Sequence, residues 1–96
     1  MKQLEFVWDE NKDRINQRKH GISFKEAQTV FYDENAVLFY DEMHDEKEDR
    51  FILLGFSSRA RMLIVCHVYI EEENIIRIFS AREATKNEKK KHYIKE

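Results

Sequence analysis

Arg77 stands inside the run Ile75-Ile-Arg-Ile-Phe-Ser80. Strand alternation puts Ile75, Arg77 and Phe79 on one face of that run, with Ile76, Ile78 and Ser80 on the other. A guanidinium between two large apolar side chains is costly unless it is paired or opens onto a cleft. An ion pair with an acid on a neighbouring strand and a functional role carry equal weight here. Five residues on, Arg82 falls within Ser80-Ala-Arg-Glu83, which has the pattern of a capping box. Capping accounts for Ser80 and Glu83. It does not account for Arg82, which with the free N–H groups of a helix start makes an anion site. Lys19-His20-Gly21 closes an earlier helix, and its two basic residues either cap the last carbonyls or serve as proton donor and phosphate ligand. His67 shares a strand face with Leu63, Val65 and Tyr69. It reads as a packing residue, or as a base that meets Arg77 on one face if the two strands adjoin.

Other chemistries are absent from the pattern. There is no glycine-rich phosphate loop, and no serine stands in a nucleophile motif. The segment 41–49 holds Asp41, His44, Asp45 and Glu48, but it lacks the spacing of a calcium loop and reads as a solvated acidic turn. The lone cysteine, Cys66, sits in an apolar run and reads as a buried strand residue.

These side chains need a scaffold, and 96 residues suffice for one domain spanning 1–96. The 42% hydrophobic content argues against disorder, and the 38% charged content makes the surface densely ionic. The N-terminus has no apolar signal region and no stretch approaches about 18 apolar residues, so a cytoplasmic protein without membrane attachment is expected. The net charge of −2 conceals a segregated distribution. Lys12, Arg14, Arg18, Lys19 and Lys25 face only Asp13 in the span 12–25, and Lys86, Lys89, Lys90, Lys91 and Lys95 crowd the C-terminal stretch. The acid is concentrated in 41–49 and 71–73.

A short strand is expected over 4–8, then a helix from the N-cap Asp9 to about His20, with Gly21 at the left-handed C-terminal position. Its only large apolar residue is Ile15, which should be buried. Lys12, Asn16 and Lys19 form a polar stripe beside it. Ser23 to Glu26 is a capping box flanked by Ile22 and Ala27, opening a second helix to about Tyr32 that buries Phe24, Ala27, Val30 and Phe31. Strands follow over 36–40, 51–56, 62–70 and 75–80. The third of these is nearly continuous apolar sequence and should be central. Short links favour antiparallel neighbours. A polar helix from Ala81 onward closes the chain. The fold class is therefore α+β, a small antiparallel sheet with two N-terminal helices and a C-terminal helix.

The order of residues carries a resemblance. Phe-Val-Trp-Asp at 6–9, Lys12, Asn16, Lys-His-Gly-Ile at 19–22, Phe24, Glu26-Ala27 and Val-Phe at 30–31 are followed by Glu48-Asp-Arg50 and Gly55. Ile-Arg-Ile-Phe-Ser-Ala-Arg at 76–82, then Glu88 and Tyr93, complete the set. Over almost its whole length the chain resembles the BrnT family of toxins from bacterial type II toxin–antitoxin pairs. The resemblance implies a RelE-like fold and cofactor-free, metal-independent RNA cleavage that arrests translation. It also implies neutralisation by a BrnA-like antitoxin in a heterotetramer that reaches DNA only through the antitoxin. Lys19, His20, Arg50 and Arg82 match the family's working residues. Lys12, Arg77 and His67 are the further candidates for holding RNA, and His67 or Glu48 for the general base. Phe79 departs from the pattern, since relatives often carry a second aliphatic residue there, a change expected to alter packing more than chemistry. Two rival classes are a nucleic-acid-binding module without catalysis, and an interaction subunit whose polar last helix docks a partner.

Overall fold

The computed structural model describes residues 3–42, 48–70 and 74–93. His44, Asp45, the acidic run 71–73, Ile94 and Lys95 lie outside them. Strand β1 (Glu5–Val7) leads into helix α1 (Glu10–His20), and helix α2 (Phe24–Gln28) passes into a 3-10 turn (Thr29–Tyr32). Strands β2 (Val37–Tyr40), β3 (Arg50–Phe56), β4 (Met62–Ile70) and β5 (Ile75–Glu83) follow, then helix α3 (Lys86–Tyr93). The five strands lie in the order β1-β5-β4-β3-β2. Three pairings are antiparallel, but β1 runs parallel to β5 at the sheet edge, so the sheet is mixed rather than wholly antiparallel. The chain between β1 and β5 passes through α1, α2 and the other three strands, which gives the parallel pair the long connection it requires.

The caps of α1 are those its residues predict. The Asp9 carboxylate accepts from the N–H groups of Asn11 (2.8 Å) and Lys12 (3.0 Å), and Gly21 adopts φ 72° and bonds back to the Gln17 carbonyl. Its buried residue is the reverse of the expectation. Ile15 is exposed, and Asn16 is the one enclosed. The Asn16 amide donates to the carbonyls of Ile22 and Ala81, both at 2.8 Å, while its oxygen accepts from the Ala81 N–H at 3.2 Å. Strand β1 reaches only as far as Arg77 along β5. Beyond that point a side-chain amide takes over both backbone groups of Ala81, which a neighbouring strand would otherwise satisfy.

Helix α2 and the 3-10 turn cover one face of the sheet. Ile22, Phe24, Ala27 and Val30 pack there on Leu53, Leu63, Val65, Ile76, Ile78 and Ala81. Ser23 caps α2 by accepting from the Glu26 N–H at 3.0 Å. Glu26 does not reach back to complete the box. It turns instead to the β3–β4 hairpin, accepting from the Ser57 hydroxyl at 2.7 Å and from both the Nε and Nη2 of Arg61. Arg61, foremost, and Ser57 hold this carboxyl below its usual range against the effect of burial.

The opposite face is divided. Leu54, Met62, Ile64 and Ala84 form a second apolar cluster with Phe39, Ile52 and Cys66, beneath α3. Tyr93 is exposed rather than packed, and α3 is seated by His92, whose Nε2 lies 3.4 Å from the Asp33 carboxylate. Asp33 also accepts from the N–H of Phe56 at 2.8 Å. Burial would raise its pKa, but the amides of Phe56 and Asn35, with His92, bring it down. Among the described residues no helix roofs the rest of this face.

Candidate nucleic-acid interface

Two departures in β5 determine what the open face carries. The first is its length. Pairing with β4 continues to Leu63 opposite Glu83, and the helix begins only at Lys86. The working capping box is Thr85-Lys86-Asn87-Glu88: the Thr85 hydroxyl accepts from the Glu88 N–H at 3.2 Å, and the Glu88 carboxylate accepts from the Thr85 N–H at 2.9 Å. Ser80 and Glu83 are therefore strand residues, and Arg82 does not sit at a helix start. The anion site expected from Arg82 and helix N–H groups is not formed. The second departure is a bulge. Cys66 pairs with Ser80 but His67 pairs with Ile78, leaving Phe79 as an extra residue. After the bulge Ser80 and Arg82 lie opposite Cys66 and Ile64, on the same face as Arg77, which lies opposite Val68. Ser80 thus changes sides relative to simple alternation.

His67 goes the other way. It faces the helix-covered core at 0% exposure, ringed by Phe31, Phe51 and Tyr69. Its Nδ1 lies 3.1 Å from the Val65 carbonyl, and burial pushes its pKa down to about 4. The strands adjoin, as anticipated, but His67 and Arg77 lie on opposite faces, and core packing accounts for the imidazole.

On the open face Arg50, Val68 and Arg77 form one cross-strand row, with Val68 buried as its floor. The Arg50 guanidinium lies over the Phe79 ring, 4.6 Å from its centroid. Arg77 pairs with Glu48, which comes from the loop before β3 rather than from a neighbouring strand. Arg82 makes a two-point pair with Glu88 at 2.8 and 2.9 Å and donates to the Glu83 carbonyl at 3.2 Å. That pair, with the Thr85 amide, holds the Glu88 pKa down to about 2. The Cys66 thiol lies on the same face, within the fields of Arg82 and Arg50, and burial raises its pKa.

Helix α1 runs alongside β5. Lys12 lies near Arg77 and Phe79, together lining one recess, and Asn16 is bonded to Ala81. Lys19, on the same stripe, falls about 10 Å further along the axis, toward the Arg82 end. Lys19 and His20 are both exposed at the end of α1. The structure thus gathers Lys12, Arg50, Arg77 and Arg82 around one sheet face, flanks them with Lys19 and His20, and leaves His67 behind the sheet. Sequence reasoning missed the Glu88 clamp and the seat that Phe79 gives Arg50. The Thr85–Glu88 spacing held a signal for the first. The second depends on a bulge that no local pattern announces.

The architecture is that of a small α+β protein with one sheet face packed by helices and the other carrying Arg50, Arg77 and Arg82. Residues 8–88 match the family model described as ribonuclease toxin, BrnT, of type II toxin–antitoxin system, and the chain belongs to that family. The resemblance read from the Trp-Asp, Lys-His-Gly-Ile and Ser-Ala-Arg blocks is borne out. The fold is similar to that of the Brucella abortus ribonuclease toxin BrnT, known from a 1.1 Å crystal structure. The TM-score is 0.68 at 21% identity, over 88% of this chain and 100% of that one. No curated protein matches the chain.

Proposed function

We propose that the chain, acting as one domain over 1–96 with a RelE-like fold, is a cytoplasmic, metal-independent endoribonuclease. In this reading it arrests translation and is neutralised by a BrnA-like antitoxin in a heterotetramer, with DNA contacted only through the antitoxin. The observation that supports it best is the grouping of Arg50, Arg77 and Arg82 on one unroofed sheet face. The 2′-hydroxyl oxygen attacks the adjacent phosphorus, and the bond to the 5′ oxygen breaks. The products are a 2′,3′-cyclic phosphate and a 5′-hydroxyl end. Arg82 stabilises the charge that builds on the phosphorane, the largest contribution expected of such a site, while Arg50 takes the backbone beside it. A planar guanidinium fork suits two phosphate oxygens and keeps its charge throughout; the fork of Arg82 is held by Glu88, which the scissile phosphate displaces. Lys19 or His20 protonates the leaving oxygen, and Lys12 and Arg77 hold the flanking backbone.

Among the described residues the attacking hydroxyl has no strong base at hand. His67 is sealed behind the sheet, Glu88 with a pKa of about 2 is a poor acceptor, and Glu48 is committed to Arg77. Its proton passes to water, so the enzyme is slow on free RNA and depends on a substrate preorganised elsewhere. The same shortage favours a second reading, phosphate binding without cleavage.

Incubation of the purified protein with RNA in EDTA, with end mapping, separates the two. Cleavage with cyclic-phosphate ends, reduced by about 10²–10³ in Arg82→Ala, is expected from losing one donor to the transition-state charge. Intact RNA, together with normal growth when the chain is expressed without its antitoxin, would overturn the toxin reading.

A further inference from the structure

The cross-strand row Arg50–Val68–Arg77 ends in a recess of about 270 Å³ between the start of α1 and the sheet. Asp9, Lys12, Glu48, Arg50, Arg77, Ile78 and Phe79 line it. Its two acids are already engaged. Asp9 caps α1 through the N–H groups of Asn11 and Lys12, and Glu48 takes the Nη2 of Arg77. Its bases are not correspondingly satisfied. The Nε–H groups of both Arg50 and Arg77 are shielded from solvent and lack a hydrogen-bond partner. A buried donor left unmade is destabilising, and more so on a charged group. Among the described residues Arg50 has no carboxylate partner. Its flat side rests on Phe79, which leaves the in-plane edges of the guanidinium for an acceptor. Lys12 completes the set from the first turn of α1.

From these observations we infer that the recess is a second phosphate subsite, distinct from the Arg82 position, which takes a non-scissile phosphate of a single RNA strand. The inference rests on the RNA-directed reading above. Arg77 and Arg82 are separated by five steps of β5, one of them bulged, or about 13–16 Å at 3.3 Å per residue. A dinucleotide has a single internal phosphate and cannot occupy both positions, whereas a strand of several nucleotides can. Phe79 supplies the ring that seats Arg50 in the subsite. An aliphatic residue in its place would remove the ring against which Arg50 lies. The bulged position therefore bears on substrate length and not on packing alone.

Binding and cleavage are measured separately, so that the subsite and the nuclease reading can fail independently. Fluorescence anisotropy with 2′-O-methyl oligonucleotides of two to eight residues, which cannot be cut through the 2′-oxygen, reads the subsite. Affinity should rise at least tenfold between the dimer and the hexamer. Lys12→Ala and Arg77→Ala should each remove most of that gain and lower the salt slope for the hexamer by about one. Phe79→Leu should reduce the gain and Phe79→Tyr should keep it. Lys12→Ala alters only an exposed helix position, so its result stands even if Arg77→Ala folds poorly. A length gain that survives Lys12→Ala and Phe79→Leu overturns the subsite, as does a wild-type protein with no length gain. Free adenosine monophosphate provides the remaining arm. If it binds in a manner abolished by Lys12→Ala while oligonucleotide length has no effect, the recess serves a free nucleotide and the RNA assignment falls. Failure to cut unmodified RNA in EDTA would bear on catalysis and leave the binding result to stand or fall by itself.

Discussion

Asn16 shows how one side chain can have been noticed for the wrong reason. The helical stripe Lys12–Asn16–Lys19 was legible from spacing, and all three do lie along the side of α1 that follows β5. Burial was assigned to Ile15, because hydrophobicity is the usual guide to the inner face of a helix. The structure buries the amide because α1 packs on a strand edge rather than on a sheet face, and an edge presents unpaired N–H and C=O groups. Asn16→Ala would strand the Ala81 N–H together with the carbonyls of Ala81 and Ile22. The expected loss is about 2–4 kcal/mol, read as a lower urea midpoint at unchanged slope. A midpoint within error of wild type would mean that water or a backbone shift replaces the amide. His67 was weighed as packing residue or base, and the choice turned on a bulge lying between it and Arg77, which single-residue reasoning does not reach.

The elements were more legible where their signals are local. Asp9, Gly21 and Ser23 mark real helix ends, and the apolar run of β4 is the central strand buried on both sides. The β5–α3 boundary was misplaced because two capping boxes, beginning at Ser80 and Thr85, compete within ten residues. Backbone pairing to β4 settles the competition, and that pairing is non-local. The parallel placement of β1 is unreadable for the same reason. Gly55 illustrates a local signal with a distant cause. A Cβ there would meet the Asp33 carboxylate at 2.8 Å and the Ala36 side chain at 2.9 Å, too close for either to remain. Gly55→Ala should therefore push Asp33 off the Phe56 amide and loosen the His92 seat of α3. We expect a cost of about 1–3 kcal/mol, a fall in Tm of roughly 4–20 °C. An unshifted Tm would show that the 33–36 turn yields freely.

For the molecule as a whole, composition gave the class and net charge misled. A chain at −2 carries a segregated set of bases because its acids are concentrated at 41–49 and 71–73 of the sequence, although Glu48 and Glu88 each offset one arginine of the open face. Of the groups that make stability depend on acidity, beside Glu26 and Asp33, His67 and Glu88 are shifted furthest. His67 has a folded pKa of about 4 against 6.5 for an ordinary histidine, so the unfolded chain binds the extra proton and stability falls as pH drops from about 6.5 to 4. Glu88 has a depressed carboxyl, and its contribution, complete above about 4.5, is lost as pH falls toward 2. Urea unfolding at pH 7.5, 5 and 3 should show a continuous decline, and His67→Phe should flatten only the upper part. Equal wild-type midpoints at pH 7.5 and 5 would contradict the buried neutral imidazole.

The bulge at Phe79 has an arithmetic consequence. Arg77 and Arg82 are an odd number of residues apart, and in an unbroken strand odd separations point to opposite sides. Were Phe79 kept but drawn into regular pairing with β4, so that the bulge vanished, the strand would have to choose. Either Arg82 would point into the space that Ala81 fills against Ile22 and Phe24, or Arg77 would be driven beneath α2. One inserted residue thus changes the parity of the strand, and parity decides whether the two guanidinium groups can address the same molecule.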